Sequence, residues 1–498
     1  MRAVILAGTL STGLGDRALA AKAPPVERMV LDNGVVLLVI PQHDLPMVVV
    51  SALVDGGSRL DPDGKEGLAS LTASLLPEGT AKRTAEEIHE TVDFLGAKLS
   101  AAAGDDYSAV TLMTLEKDLP ASLDLLVDVL RNPAFPKDEF GRKKEEALGG
   151  IEADEQDPGA IASREFRKKL FGKGPYRAPT AGWADSVKAL TANDVAAFYR
   201  ATYHPNRTIV VVSGDITPKA MLALANQLLG DWKAADAPLD GPPPKPLTQK
   251  DVVRIDRDLT QANLIWGHLG TTREDPDWYA LQVMNYILGG GGFSSRMMSS
   301  IRTEAGLAYS VFSYFSGGKL PGSFQVTLQT KSASTREALD RLEREVARIR
   351  EQPVSDDELS QAKKYLTGSF PMRFDSNGDM VSFYSQVEYF HLGLDYPERY
   401  EGLIESVTKD DIQRVATKYL HPEQAILVVV GDQEKIDLEN APGAAGGTKS
   451  ADDKATKPAN AAKTPDDKAA KSAKAADDET TTSGDAPKAA EDKPTKRP

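Results

Sequence analysis

The chain has 498 residues, a formal net charge of −14 and no cysteine. The length admits several domains, the lack of cysteine excludes disulfides, thiolate metal sites and a cysteine nucleophile, and the acidic balance argues against a nucleic-acid partner. No run of about 18 apolar residues occurs, so no membrane span is expected.

Residues 1–23 open with Met1-Arg2, continue through the apolar AVILAGTL and reach ALAAKA before Pro24. A basic start, an apolar centre and small residues near a cleavage point read as a secretory signal. That implies a periplasmic or secreted protein; the alternative is a cytoplasmic one. Next comes VERMVLDNGVVLLVI, with a hairpin signal at Asp32-Asn33-Gly34, and then MVVVSALVDGG. DVVRIDRDL and ANLIWGHLG repeat this strand-rich opening after residue 250, and long helical patterns such as SLDLLVDVLRN and ALDRLEREVARIREQ follow.

An internal repeat organises the body. TANDVAAFYRATYHPNRTIVVVSGD at 191–215 aligns without a gap on TKDDIQRVATKYLHPEQAILVVVGD at 408–432. Thr191 and Thr408 read as helix N-caps. The helices are expected to stop before His204-Pro205 and His421-Pro422. The apolar runs that follow suit strands buried on both faces. The expected fold is α+β: two homologous α/β-sandwich domains, at 26–236 and 250–437, enclosing a cleft. A proline-rich linker lies at 237–249. From 441 to 498 the chain lacks Val, Ile, Leu, Met, Phe, Trp and Tyr, and this tail is expected to be disordered.

The segment VDGGSRLDPDGKEGLASLTASLLPEGT, residues 54–80, resembles the opening of the pitrilysin/insulinase zinc peptidases, the inverzincins. Active members carry H-x-x-E-H at this point: two histidines on one helical face bind zinc and the glutamate is the general base. Here Ser70, Ala73 and Ser74 stand at those positions, and the third ligand, a glutamate in the family, falls near Gly149-Gly150, with Glu145, Glu146 and Glu152 close by as alternatives. Hydroxyls are poor zinc ligands and alanine moves no proton, so no metal is expected in this chain. No two of the six histidines, His43, His89, His204, His268, His391 and His421, have ligand spacing.

A second motif survives. YILGGGGFSSRMMSSIRTEAGLAYSVFSYF at 286–315 carries Arg302 and Tyr309 in the family's R-x-x-x-G-L-A-Y context. The resemblance implies that this pair holds the substrate backbone and stabilises the oxyanion. The four glycines at 289–292 lack a following Gly-Lys-Ser/Thr and read as a flexible loop before a helix capped at Ser294 or Ser295. FLGAKLSAAAGDDYSAVTL resembles the family's cleft-lining strand, where a peptide adds through its main chain along Lys98, Leu99, Ser100, Ala101 and Ala102; an ordinary strand turning at Gly104-Asp105 is the alternative.

The resemblance therefore implies a non-zinc subunit of a heteromeric metallopeptidase. Its partner would be a homologous subunit that carries H-x-x-E-H and the zinc, and its substrates would be peptides. A catalytically inert scaffold or peptide-binding protein of the same fold is the alternative.

Overall fold

A computed structural model describes residues 24–235 and 250–438. The expected signal, linker and tail lie outside the described residues. Among the described residues, eleven strands form two sheets. The first contains β1 (Glu27–Val30), β2 (Val36–Pro41), β3 (Met47–Val54), β4 (Lys98–Ala103), β5 (Ser108–Leu115) and β6 (Thr208–Gly214). Its order is β1-β2-β6-β3-β5-β4. The second contains β7 (Asp251–Asp256), β8 (Gln261–Leu269), β9 (Ala308–Phe315), β10 (Ser323–Lys331) and β11 (Ile426–Gly431), in the order β7-β11-β8-β10-β9. Apart from the added β1, the two orders are the same. β6 runs parallel to β2 and β11 parallel to β7, while the other pairs are antiparallel. The repeat read from one motif thus extends over the whole of each half.

Local chemistry explains the elements. Gly34, at φ +92°, closes the β1–β2 hairpin, where Leu31 and Val35 exchange a backbone bond. Helices Ala192–Thr202 and Lys409–Tyr419 start at Thr191 and Thr408, whose hydroxyls accept from the amides of Asp194 and Asp411. The aspartates return the bond to the cap, completing capping boxes. Both helices stop before His-Pro. His204 and His421 sit in the turns, and the His421 amide donates to Nε2 of the buried His268 on β8.

β6 and β11 are buried on both faces, for a reason that the sequence did not disclose. One face of each sheet packs on helices of its own half. The other face is covered by a helix from the opposite half. Helix Pro158–Phe171 lays Ala162, Phe166 and Leu170 on Ile265 of β8 and on Ile426, Val428 and Val430 of β11. Helix Asn377–Tyr389 packs in return on β3 and β6, where Met380 joins Leu38, Val49 and Val211 in one core, and the hydroxyl of Ser213 donates to Asn377 Oδ1 at 3.0 Å. The halves therefore exchange a helix.

The hairpin turns are also pinned across the halves. Lys319 Nζ, in the β9–β10 turn, donates to Asp55 Oδ2 at 3.1 Å, and the Lys319 amide donates to Asp106 Oδ2 at 3.1 Å. The Tyr389 hydroxyl donates to Asp55 Oδ1 at 2.9 Å. Burial opposes charge on Asp55, but Arg59 and Lys319 hold its carboxyl below the usual range.

Candidate functional site

The helix that carries Ser70, Ala73 and Ser74, here called the remnant helix after the expectation drawn from the sequence, spans Leu68–Leu75. Its start is fixed by Asp61, which accepts the amides of Gly67 and Ala69 at 2.8 Å each. Burial pushes this carboxyl up to about 7 against the pull of those amides. Gly67 has φ +96°, and a Cβ there would stand 2.6 Å from the Ala181 carbonyl, so only glycine fits. Ser70 is half-buried, Ala73 is fully buried, and the half-buried Ser74 turns its hydroxyl back onto the Leu71 carbonyl at 3.0 Å. Gly150 is exposed on helix Lys137–Asp154, which packs against the remnant helix. Two hydroxyls, a methyl and a hydrogen do not fit a zinc ion. Among the described residues, no group of three or more His, Cys, Asp or Glu side chains is placed to hold a metal.

One turn beyond, Glu78 is nearly sealed from solvent and meets Arg142 at 2.6 Å, Lys143 at 3.1 Å and His89 at 3.6 Å. Burial works against its charge, but Lys143 and Arg142 keep its carboxyl low. His89 is thus an exposed partner in an ion-pair cluster.

β4 lies at the open edge of the first sheet, alongside the remnant helix. Lys98, Ser100 and Ala102 point to solvent, while Leu99 and Ala101 pack against the core. The chain turns at Gly104-Asp105 into β5, and the Gly104 amide donates to the Tyr107 carbonyl.

Arg302 and Tyr309 occupy the second half. Arg302 sits in the wide, π-type helical turn Met298–Glu304, a form that recurs at functional sites. Gly306, at φ +64°, ends the turn by donating its amide to the Arg302 carbonyl, and β9 begins at Ala308. The spacing thus carries the chain from helix to strand and brings the two side chains back together. The Arg302 guanidinium lies 4.8 Å from the Tyr309 ring centroid and 4.8 Å from that of Phe293. Tyr309 is 77% exposed and Phe293 72% exposed. Among the described residues, Arg302 has no carboxylate partner and the Tyr309 hydroxyl no hydrogen bond, so their donors face outward uncommitted. No sequence signal points to Phe293, which follows a glycine-rich run.

The glycines before Phe293 form no loose loop. Gly289 and Gly290 belong to a π-type turn, Tyr286–Gly290. A Cβ on Gly289 would stand 2.4 Å from Ser313 Oγ, on Gly290 2.5 Å from Asn285 Nδ2, and on Gly291 2.6 Å from the Tyr286 carbonyl. Close packing requires them. The following helix does start at Ser295, whose Oγ accepts from the Met298 amide at 3.4 Å.

The structure brings Ser70, Ala73, Ser74, Gly150 and β4 together in the first half and Arg302 with Tyr309 in the second. Among the described residues, no hydrogen bond, ion pair or ring contact joins the two sets.

Residues 38–182 match the family model described as Insulinase (Peptidase family M16), and residues 189–366 match the model described as Peptidase M16 inactive domain. The chain is 28% identical to an uncharacterized zinc protease of Streptomyces coelicolor, over 77% of this chain and 85% of that one. It is 26% identical to the Non-peptidase homolog YmxG of Helicobacter pylori, over 71% of this chain and 81% of that one. A crystal structure described as a peptidase M16 inactive domain from Pseudomonas fluorescens superposes with a TM-score of 0.78 at 28% identity, covering 82% of this chain and 98% of that one. Two consecutive models of one family, relatives matched over most of their length and a shared fold converge: the chain belongs to the insulinase, or M16, peptidase family.

Proposed function

We propose that this chain is the non-zinc subunit of a heteromeric M16 metallopeptidase. In this reading Arg302 and Tyr309 act on a peptide bound against a homologous partner that carries H-x-x-E-H and the zinc. The observation that carries it is a contrast of side chains. The ligand positions hold groups unable to bind metal, whereas the half-buried Arg302 and the exposed Tyr309 stand together with uncommitted donors. A guanidinium and a phenol are suited to hold a peptide carbonyl and to stabilise the oxygen on which charge develops. Along Lys98, Leu99, Ser100, Ala101 and Ala102, the open edge of β4 offers main-chain pairing to an extended peptide, and the small side chains permit close approach. The basic and apolar start of the sequence supports assembly in the periplasm or outside the cell.

The test is co-purification with a homologue that carries H-x-x-E-H, followed by cleavage of a quenched fluorogenic peptide. Arg302→Ala is expected to lower kcat/KM by about 10²–10³ while the complex stays intact. An unchanged rate, or full zinc-dependent cleavage by this chain alone, would sink the proposal. Likeness to a relative named a non-peptidase homolog favours a second reading, an inert scaffold or peptide-binding protein. That reading predicts peptide binding with no partner-dependent cleavage.

A further inference from the structure

Beside the Arg302–Tyr309 pair, a slot of about 230 Å³ opens between β9 and the helices Trp278–Asn285 and Asp356–Ser369. Phe312 and Tyr314 of β9 form one wall. Tyr286 and Tyr365, with ring centroids 4.9 Å apart, form another. Pockets for drug-sized molecules run to roughly 300–1,000 Å³, so this slot has the size for a single side chain. Its walls prefer an aromatic one, since offset and edge-on ring pairs add about 0.5–1.5 kcal/mol beyond area burial.

The slot and the pair share strand β9. Tyr309 and Phe312 are three residues apart on one strand, roughly 10 Å at the usual rise. Gly290, at the slot, and Phe293, against Arg302, belong to one short stretch of chain. An extended peptide held at Arg302 and Tyr309 therefore brings a side chain over the slot within a few residues. We infer that the slot seats an aromatic side chain of the peptide engaged by Arg302 and Tyr309. This chain then selects sequence as well as supporting the peptide backbone. The inference rests on the reading of the pair given above.

The experiment uses the full chain and two kinds of probe. Fluorescein-labelled Ala/Ser host peptides carrying one Tyr or one Ala report on the extended peptide by anisotropy. N-acetyl-tyrosinamide, followed by saturation-transfer NMR, reports on the slot alone. The tyrosine peptide is expected to bind about tenfold more tightly than the alanine peptide. Tyr365→Ala and Phe312→Ala, both at exposed positions, remove that difference and the tyrosinamide signal, and leave the alanine peptide unchanged. Arg302→Ala weakens both peptides alike and spares the tyrosinamide signal. Equal affinity for the two peptides, with the Arg302→Ala effect retained, overturns the slot and leaves the pair standing. Peptide affinities unmoved by Arg302→Ala overturn the pair, and with it the link proposed here. Loss of the tyrosinamide signal on assembly with an H-x-x-E-H homologue means that the partner covers the slot, which also overturns a peptide occupant.

Discussion

Gly267 on β8 faces Phe166 of the opposite half so closely that a Cβ would stand 3.0 Å from the ring's Cζ. Phe166 is fully buried there, on a helix whose sequence belongs to the first half and whose partners belong to the second sheet. Stability is therefore shared. Phe166→Ala is expected to cost about 3–5 kcal/mol and to shift one unfolding transition of the whole body. Residues 24–235 expressed alone lose the helix that covers β3 and β6 and should not fold. Denaturant titration followed by fluorescence and circular dichroism checks both, and two separated transitions would contradict the interlock.

The buried His268 links protonation to folding. Its Nδ1 pairs with the Leu269 carbonyl at 2.9 Å and its Nε2 accepts the His421 amide at 3.0 Å, so the ring is held neutral. Burial pushes its pKa down to about 4. The unfolded chain binds a proton from about pH 6.5 downward that the folded chain refuses until about 4. Stability is therefore lost across that window as pH falls, by about 3 kcal/mol. Asp61 acts in the opposite sense. Its raised pKa removes stability as pH climbs from its ordinary value towards about 7. The test is thus a difference: between pH 6.5 and 4, His268→Gln should lose the proton-linked slope relative to the unaltered chain. Glu358 titrates lower. Burial resists its charge, but Arg296 brings its carboxyl down to about 2. Its contribution is present above the ordinary carboxyl range and disappears only as pH falls towards 2.

Much of this was legible in the sequence because it follows from local rules. The caps at Thr191 and Thr408, the stop before His-Pro and the buried runs after it need only capping geometry and hydrophobic pattern. The same holds for the hairpin at Gly34. The exchange of Phe166 and Met380 between halves was not legible, since an apolar face does not say which sheet covers it. Phe293 escaped because its role depends on the path from Ser295 through the π-type turn to Tyr309. The glycines at 289–291 read as a loop because sequence does not reveal that Ser313, Asn285 and Tyr286 crowd them.

Gly149 and Gly150 lie on exposed positions of helix Lys137–Asp154, and a Cβ at either would meet nothing within 4 Å. In a helix interior, glycine is less stable than alanine by roughly 0.5–1 kcal/mol. Gly149→Ala and Gly150→Ala are therefore expected to stabilise the chain by about that much each. The same variants probe function, because the sequence resemblance implies a metal-ligand position near Gly149-Gly150. If the open space admits a partner or a peptide, Gly150→Leu will weaken assembly or peptide binding without lowering the melting temperature. If assembly and binding are unaffected, the glycine is a vacated ligand position and nothing more.

Phe293 and Tyr309 each set a ring 4.8 Å from the Arg302 guanidinium, and in the proposed function this makes Phe293 a positioning residue. A cation over an aromatic ring at an exposed site is stabilised by about 0.5–1 kcal/mol, enough to favour one orientation of an otherwise free arginine. Phe293→Ala should leave folding stability within about 0.5 kcal/mol, as expected for an exposed residue. In the proposed assembly with an H-x-x-E-H homologue it should lower kcat more than it raises KM, because a misaligned donor is lost mainly where charge develops. Phe293→Trp, which keeps a ring face for the guanidinium, should restore most of the rate, while Phe293→Leu, equally apolar but without a π face, should not. Equal rates for the leucine and tryptophan variants would show that Phe293 contributes bulk rather than orientation, and the stacked arrangement would then have no part in aiming Arg302.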